Sequence, residues 1–181
     1  MTDNDSFIDD DYKVPHDPGE FLNLEEGTHT IRPLSKPLIG WEAWRDGDNE
    51  KREVIRRTSK EEVEKLVPGE KPKHFWGLKV FNQDEGLVQT LIITQKTIQD
   101  AMVDLARNPK WGNPVGTEGY DMVITRTGKT RNDTKYSVIP DPREELSKEA
   151  LDVIEATPYN LNFIVEGKYP IGDSEDDDLD F

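Results

Sequence analysis

The sequence predicts a small, mainly β domain with a few helices, held between two acidic tails. Three observations carry this. Short apolar runs of strand length recur between turn signals. One amphipathic helical segment lies between two hairpin-like pairs of runs. Charge is concentrated at the ends: residues 1–26 hold nine acids and one lysine, and residues 167–181 hold six acids and one lysine. The 181-residue chain totals −15, which leaves residues 27–166 at only −2. A nearly neutral body between acidic ends can still present a basic face.

Residues 1–20 are Asp-rich, contain Pro15 and Pro18, and read as disordered. Structure is expected from about Phe21. Thr28–Leu34 alternates as a strand and is cut off by Pro33 and Pro37. Ile39–Trp44 is a second short strand, and the charged residues 46–58 suit a loop or hairpin. Ser59-Lys-Glu-Glu62 is a capping box that starts a short helix to about Val67. Phe75–Asn82 and Leu87–Thr94 are joined by Gln83–Gly86, an antiparallel hairpin signal. Thr97 caps a helix through Arg107, with Ile98, Ala101, Met102 and Leu105 on one face. Tyr120–Thr127 and Thr134–Ile139 form a second hairpin around Gly128–Asp133. Ser147 caps a last helix over about 147–156, and Tyr159–Val165 reads as a final strand. This order suits a small closed or half-closed barrel, most economically an OB-fold over residues 21–166. An SH3-like barrel or an open α+β sandwich has the same order.

Several classes fall away. With no cysteine there are no disulfides and no thiolate zinc sites. His16, His29 and His74 have no metal-ligand spacing. No apolar run approaches 18 residues, and the acidic N-terminus lacks the apolar stretch of a signal peptide. Phosphate-loop, nucleophile-elbow, zinc-protease and dinucleotide motifs are missing, and the carboxylates concentrate in the tails, so neither an enzyme nor a cofactor is expected.

The body instead interleaves aromatic and basic residues. Trp41 and Trp44 lie beside Arg45, Phe75 and Trp76 follow Lys71, Lys73 and His74, and Lys110-Trp111 follows Arg107. Between Arg107 and Tyr136 six bases face three acids. Sequence-neutral binding of single strands needs this mixture, since aromatic faces stack on unpaired bases and cations neutralise phosphates. In residues 75–81, alternation puts Trp76, Leu78 and Val80 on one face and Phe75, Lys79 and Phe81 on the other. The first set is expected in the core, and Phe75 and Phe81 are the better stacking candidates. Arg126 ends an apolar row at a loop mouth, suited to a ligand arm or a salt bridge; Lys129 and Arg131 at the loop tip suit ligand contacts or plain solvation.

The segments FWGLKVFN (75–82), LIITQKTI (91–98), LARNPKWGNP (105–114), GYDMVITRTGKT (119–130) and TKYSVIPDP (134–142) appear in that order, after GTHTIRPLSKPLIGWEAW (27–44). The acidic C-terminal run, residues 172–181, ends in Asp-Leu-Asp-Phe. This ordered set resembles phage single-stranded DNA-binding proteins. The resemblance implies an OB-fold that coats single-stranded DNA in replication, recombination or repair, in the cytoplasm of an infected bacterium. Mapped here, contacts fall to Trp44, Phe75, Lys79, Phe81, Trp111, Arg126, Lys129, Arg131, Lys135 and Tyr136. The tail residues Asp176, Asp177, Asp178, Leu179, Asp180 and Phe181 would recruit replication or recombination proteins, the ring entering an apolar socket and the carboxylates a basic one; a solubilising tail is the plainer alternative. Some relatives carry a Cys/His zinc element that this chain lacks, so residues 46–72 must fold without metal or stay mobile. An acidic decoy mimicking DNA, or an OB-fold adaptor for protein or RNA, remains as another reading.

Overall fold

The computed structural model describes residues 19–172. The tail assignments at Asp176–Phe181 lie outside the described residues. Strands β1 (Gly27–Pro33), β2 (Leu38–Asp46), β3 (Arg52–Arg57), β4 (Lys73–Asn82), β5 (Leu87–Ile93), β6 (Met122–Thr127) and β7 (Lys135–Pro140) form an antiparallel sheet. Helices α1 (Lys60–Leu66), α2 (Lys96–Arg107) and α3 (Lys148–Glu155) and a 3₁₀ turn at Leu161–Val165 pack onto it. The protein is mainly β with a few helices, as the pattern of short runs implies.

Strand β4 organises the sheet because it is long enough to pair with three others. Its first half takes β2, with Phe75 opposite Gly40 and Gly77 opposite Leu38. Its second half takes β1 on the same edge, with Val80 opposite Pro33 and Asn82 opposite Ile31. Along its other edge it pairs with β5 from Trp76 to Asn82. The crossover between β1 and β2 is pinned where Pro33 removes a ladder donor. There Leu34 N donates to the Lys79 carbonyl at 2.8 Å and Lys79 N donates to Ser35 Oγ at 3.0 Å.

The sheet continues from β1 to β6 and β7 but does not close: no ladder joins β5 to β7. The segment preceding β1 covers the outer edge of β5 instead. Leu22 N donates to the Thr90 carbonyl and Thr90 N to the Glu20 carbonyl, around a parallel bridge between Phe21 and Thr90. This arrangement is compatible with an OB-like barrel left open on one side, with α2 packed against β7.

Three apolar clusters result. The main core gathers Ile31, Leu78, Val80, Leu91 and Ile124 under α2, which contributes Ile98 and Met102. A second, of Phe81, Val88, Leu146 and Ala150, lies between β4–β5 and α3. In the third, α1 seats Val63 beside Ala43, with Val67 just past the helix end. The charged stretch 46–72 holds strand β3 and helix α1. Ser59 Oγ accepts from Glu62 N at 3.3 Å, the cap expected there.

The expected strand over 159–165 is corrected. Only Tyr159 bridges, to Ile171, and Leu161–Val165 is a 3₁₀ turn capped by Asn160, whose side chain accepts from Asn162 N. The turn suits adjacent apolar residues, because it buries both Phe163 and Ile164 where a strand would send them to opposite faces. Asn160 N donates to the Pro170 carbonyl and Gly172 N to the Pro158 carbonyl, so the bonded body runs to Gly172.

Candidate nucleic-acid interface

Both faces of β4 are used in packing, and this decides which aromatic rings a ligand can reach. Leu78 and Val80 point into the main core, as alternation predicts. The opposite face, expected to be open, is covered by the C-terminal part of the chain. The 3₁₀ turn lies against β2, β3 and β4, and a Cβ added at Gly77 would run into Ile164. Helix α3 lies over Phe81. Phe75 is 0% and Phe81 4% exposed, so neither ring is free to stack on a base. Phe75 instead receives the Arg56 guanidinium 5.8 Å above its ring, and Arg56 Nε bonds Glu42 Oε2 at 2.9 Å. Lys79 is half-buried, its ammonium 5.2 Å from the Tyr159 ring centre, and burial lowers its pKa.

The remaining expected residues separate. Trp44 is 44% exposed but shares its face of β2 with Glu42, away from Trp41. Trp111 is half-buried against Tyr120, ring centres 5.7 Å apart, with the Lys110 ammonium 5.4 Å from its ring. Arg126 and Tyr136 are cross-strand partners and line a groove of about 290 Å³ on the open side of the sheet, with Leu22, Leu24, Ile92 and Gln95. Arg126 Nη1 donates to the Leu24 carbonyl at 3.0 Å, while its buried Nε has no hydrogen-bond partner among the described residues. Lys129, Arg131 and Lys135 are exposed around the β6–β7 loop. Asp133 shapes that loop by accepting from the Thr130 hydroxyl at 2.6 Å and from Thr130 N, hydrogen bonds that hold its carboxyl below the usual range.

The structure assembles another set of aromatic residues on the core-side face of β2 and β4. Trp41 stands opposite His74 and Ile39 opposite Trp76. The Trp41 and His74 ring centres are 5.1 Å apart with planes inclined by 55°. All three rings are half-buried, and Ile39 beside them is 55% exposed. Trp76, expected in the core, packs against the main core but is only half-buried there.

Trp76 lines two grooves. One, of about 560 Å³, also has Lys73, His74, Lys96, Gln99 and Asp100 in its walls. The other, of about 310 Å³, is mostly apolar and is bordered by Lys36 and Arg107. The Lys60 ammonium sits 5.1 Å from the Trp41 ring. Five bases thus surround a row of three rings, with Asp100 the one acid lining either groove. Gln95, in the wall of the Arg126–Tyr136 groove, is followed directly by Lys96, so the two regions meet at the start of α2. The i, i+2 spacing of His74 and Trp76 beside Lys73 is the sequence signal that could have found this site.

Comparison with protein-family models, characterised proteins and solved structures finds no significant match. Among the described residues no helix is long and apolar enough to cross a membrane, and no group of three or more His, Asp or Glu side chains is placed to hold a metal ion.

Proposed function

We propose that this protein binds single-stranded DNA without reading its sequence, and does so as a binder rather than a catalyst. The observation that carries this is the row Trp41–His74–Trp76 with Lys60, Lys73 and Lys96 along it. Each stacked base is worth about 1–3 kcal/mol, and every base has a ring face to offer. The lysines supply the phosphate term, which releases counterions and weakens as salt rises. A duplex keeps its bases stacked on one another and cannot use the rings. Arg126, Tyr136, Lys129, Arg131 and Lys135 would extend the path past the start of α2. The function served is replication, recombination or repair, with residues Asp176–Phe181 docking partner proteins.

The test is a titration of a fluorescein-labelled oligo-dT of about 30 nucleotides, long enough for several binding footprints. Duplex and oligo-rU serve as competitors, at low and moderate salt. Salt-sensitive binding that duplex competes poorly, and that Trp76→Ala weakens, supports the reading. No binding at low salt would overturn it and favour a protein-binding adaptor; stronger competition by oligo-rU would turn it toward RNA.

A further inference from the structure

We infer that residues 19–25, which precede β1, form a strap that single-stranded DNA lifts from β5, and that Arg126 couples the two events. The inference rests on the single-strand reading and adds a conformational step to it.

The strap is held by few contacts. Thr90 N donates to the Glu20 carbonyl at 2.8 Å, and Leu22 N donates to the Thr90 carbonyl at 2.9 Å. Gln89 Nε2 donates to the Gly19 carbonyl at 3.0 Å. Leu22 and Leu24 pack against the main core, but both are only half-buried. A segment with so little buried surface opens for much less free energy than global unfolding requires. Gly27 joins it to β1 with φ at 123°, where a residue with a side chain is strained. A hinge at that glycine can absorb the dihedral change of a swing.

Gly27 stands directly opposite Arg126 in the β1–β6 ladder, so the hinge and the cation adjoin. Arg126 Nη1 donates to the Leu24 carbonyl at 3.0 Å, whereas its buried Nε has no hydrogen-bond partner among the described residues. A buried donor without an acceptor carries a cost that a ligand can remove. Phosphate suits it, because two of its oxygens can take parallel N–H bonds from one guanidinium. The way in is the groove shared with Tyr136, and the strap forms one wall of it from Leu22 to Glu25. A phosphate entering the closed groove meets the Glu25 carboxylate and finds Nε covered. With the strap withdrawn it meets Arg126 without either obstacle. DNA therefore binds the open form more tightly, and that difference is what moves the strap.

The experiment follows amide hydrogen exchange of the full-length protein with and without an oligo-dT of about 30 nucleotides at low salt. Exchange at Leu22 and Thr90, whose N–H groups hold the strap on β5, should become at least roughly 3-fold faster on binding. Leu34 N, bonded to the Lys79 carbonyl, is the control and should not speed up. Arg126→Met should weaken binding only in part, since the Trp41–His74–Trp76 row remains, and should abolish the faster exchange. Leu22→Ala with Leu24→Ala loosens the strap without changing charge. It should bind oligo-dT roughly 2- to 10-fold tighter, because more of the protein is already open. Slower or unchanged exchange at Leu22 and Thr90 in the bound parent overturns the inference, as does faster exchange that survives Arg126→Met. Equal or weaker affinity of the double variant, with circular dichroism like the parent's, also overturns it. In each of these cases oligo-dT still binds, so the single-strand reading stands and only the strap falls. No binding by the parent at low salt removes both.

Discussion

Trp41 and His74 face each other across the β2–β4 ladder, with ring centres 5.1 Å apart. A cross-strand aromatic pair of this kind stabilises the sheet it sits on. It also holds two ring faces in place before any ligand arrives, so little side-chain freedom is lost on binding. Trp76 lies two residues along β4 on the same face, and Lys60 sits against Trp41. The row is half-buried and cation-flanked. Trp41→Ala should therefore weaken single-strand affinity by about 1–3 kcal/mol, the range for one stacked base, in an anisotropy titration. Trp44→Ala, on the opposite face of the sheet, should leave it unchanged.

Phe75 and Phe81 predict the reverse pattern. Their rings are buried under the 3₁₀ turn and α3. Phe75→Ala or Phe81→Ala should lower stability by about 3–5 kcal/mol in urea denaturation. Affinity per folded molecule should stay within a factor of about two.

Much of the fold was legible because its signals are local. The capping residues at Ser59 and Ser147, the Gln83–Gly86 turn and the apolar face of α2 each follow from a few neighbouring residues, and the structure has each element in place. The accessible face of β4 was not legible. Alternation sorts Trp76 from Phe75, but which side stays open depends on where residues 143–171 fold back, a contact between distant parts of the chain. Phe75 and Phe81 beside an apolar β5 carried a faint signal of burial on both sides, since a strand open on one face seldom places two Phe residues there. The start of the chain held a similar surprise. Residues 20–22 occupy the edge of β5, and no period-2 pattern in so short a segment announces this.

Arg32, on β1, ties the segment before β6 to the segment after β7. It is 2% exposed, and its guanidinium bonds Asp121 Oδ1 at 2.8 Å and the carbonyls of Gly116, Thr117 and Glu144. Arg32→Met would leave the Asp121 carboxylate and three carbonyls short of a donor. The expected loss is about 3–5 kcal/mol by urea denaturation, the range for breaking a buried pair. Asp121→Asn retains an acceptor and should cost less.

Tyr159 couples the C-terminal cover to alkaline stability. Burial pushes its phenol up from 10.0 to about 12, with Glu20 acting in the same direction and the hydrogen bond to Thr90, at 2.5 Å, acting against it. The folded state therefore prefers the neutral phenol. Its contribution is fully present below pH 10, the ordinary value, and is lost as pH rises toward 12. Lys79 against the same ring titrates the other way, because burial lowers its pKa and the fold gains as it deprotonates. The difference between parent and Tyr159→Phe isolates the phenol. The parent should lose more stability than the variant between about pH 10 and 12, read from urea midpoints. Parallel curves would show that Tyr159 ionises as freely in the fold as in the unfolded chain.

Residues 173–181 hold six acids and no base, against the five bases that line the Trp76 grooves and Trp41. Negative charge tethered to the same chain competes with phosphate for those cations at high effective concentration. A chain ending at Gly172 should therefore bind oligo-dT more tightly than the full chain. The gain should be greatest at low salt, where charge contacts reach furthest, and should shrink as salt rises. Deleting Phe181 alone leaves all six acids in place and should not change DNA affinity. It should instead abolish capture of a replication or recombination protein in a pull-down with purified candidates. Equal affinities for the full and shortened chains across a salt series would show that the acidic residues do not reach the cationic grooves. Capture unaffected by the loss of Phe181 would show that the terminal ring is not the docking element.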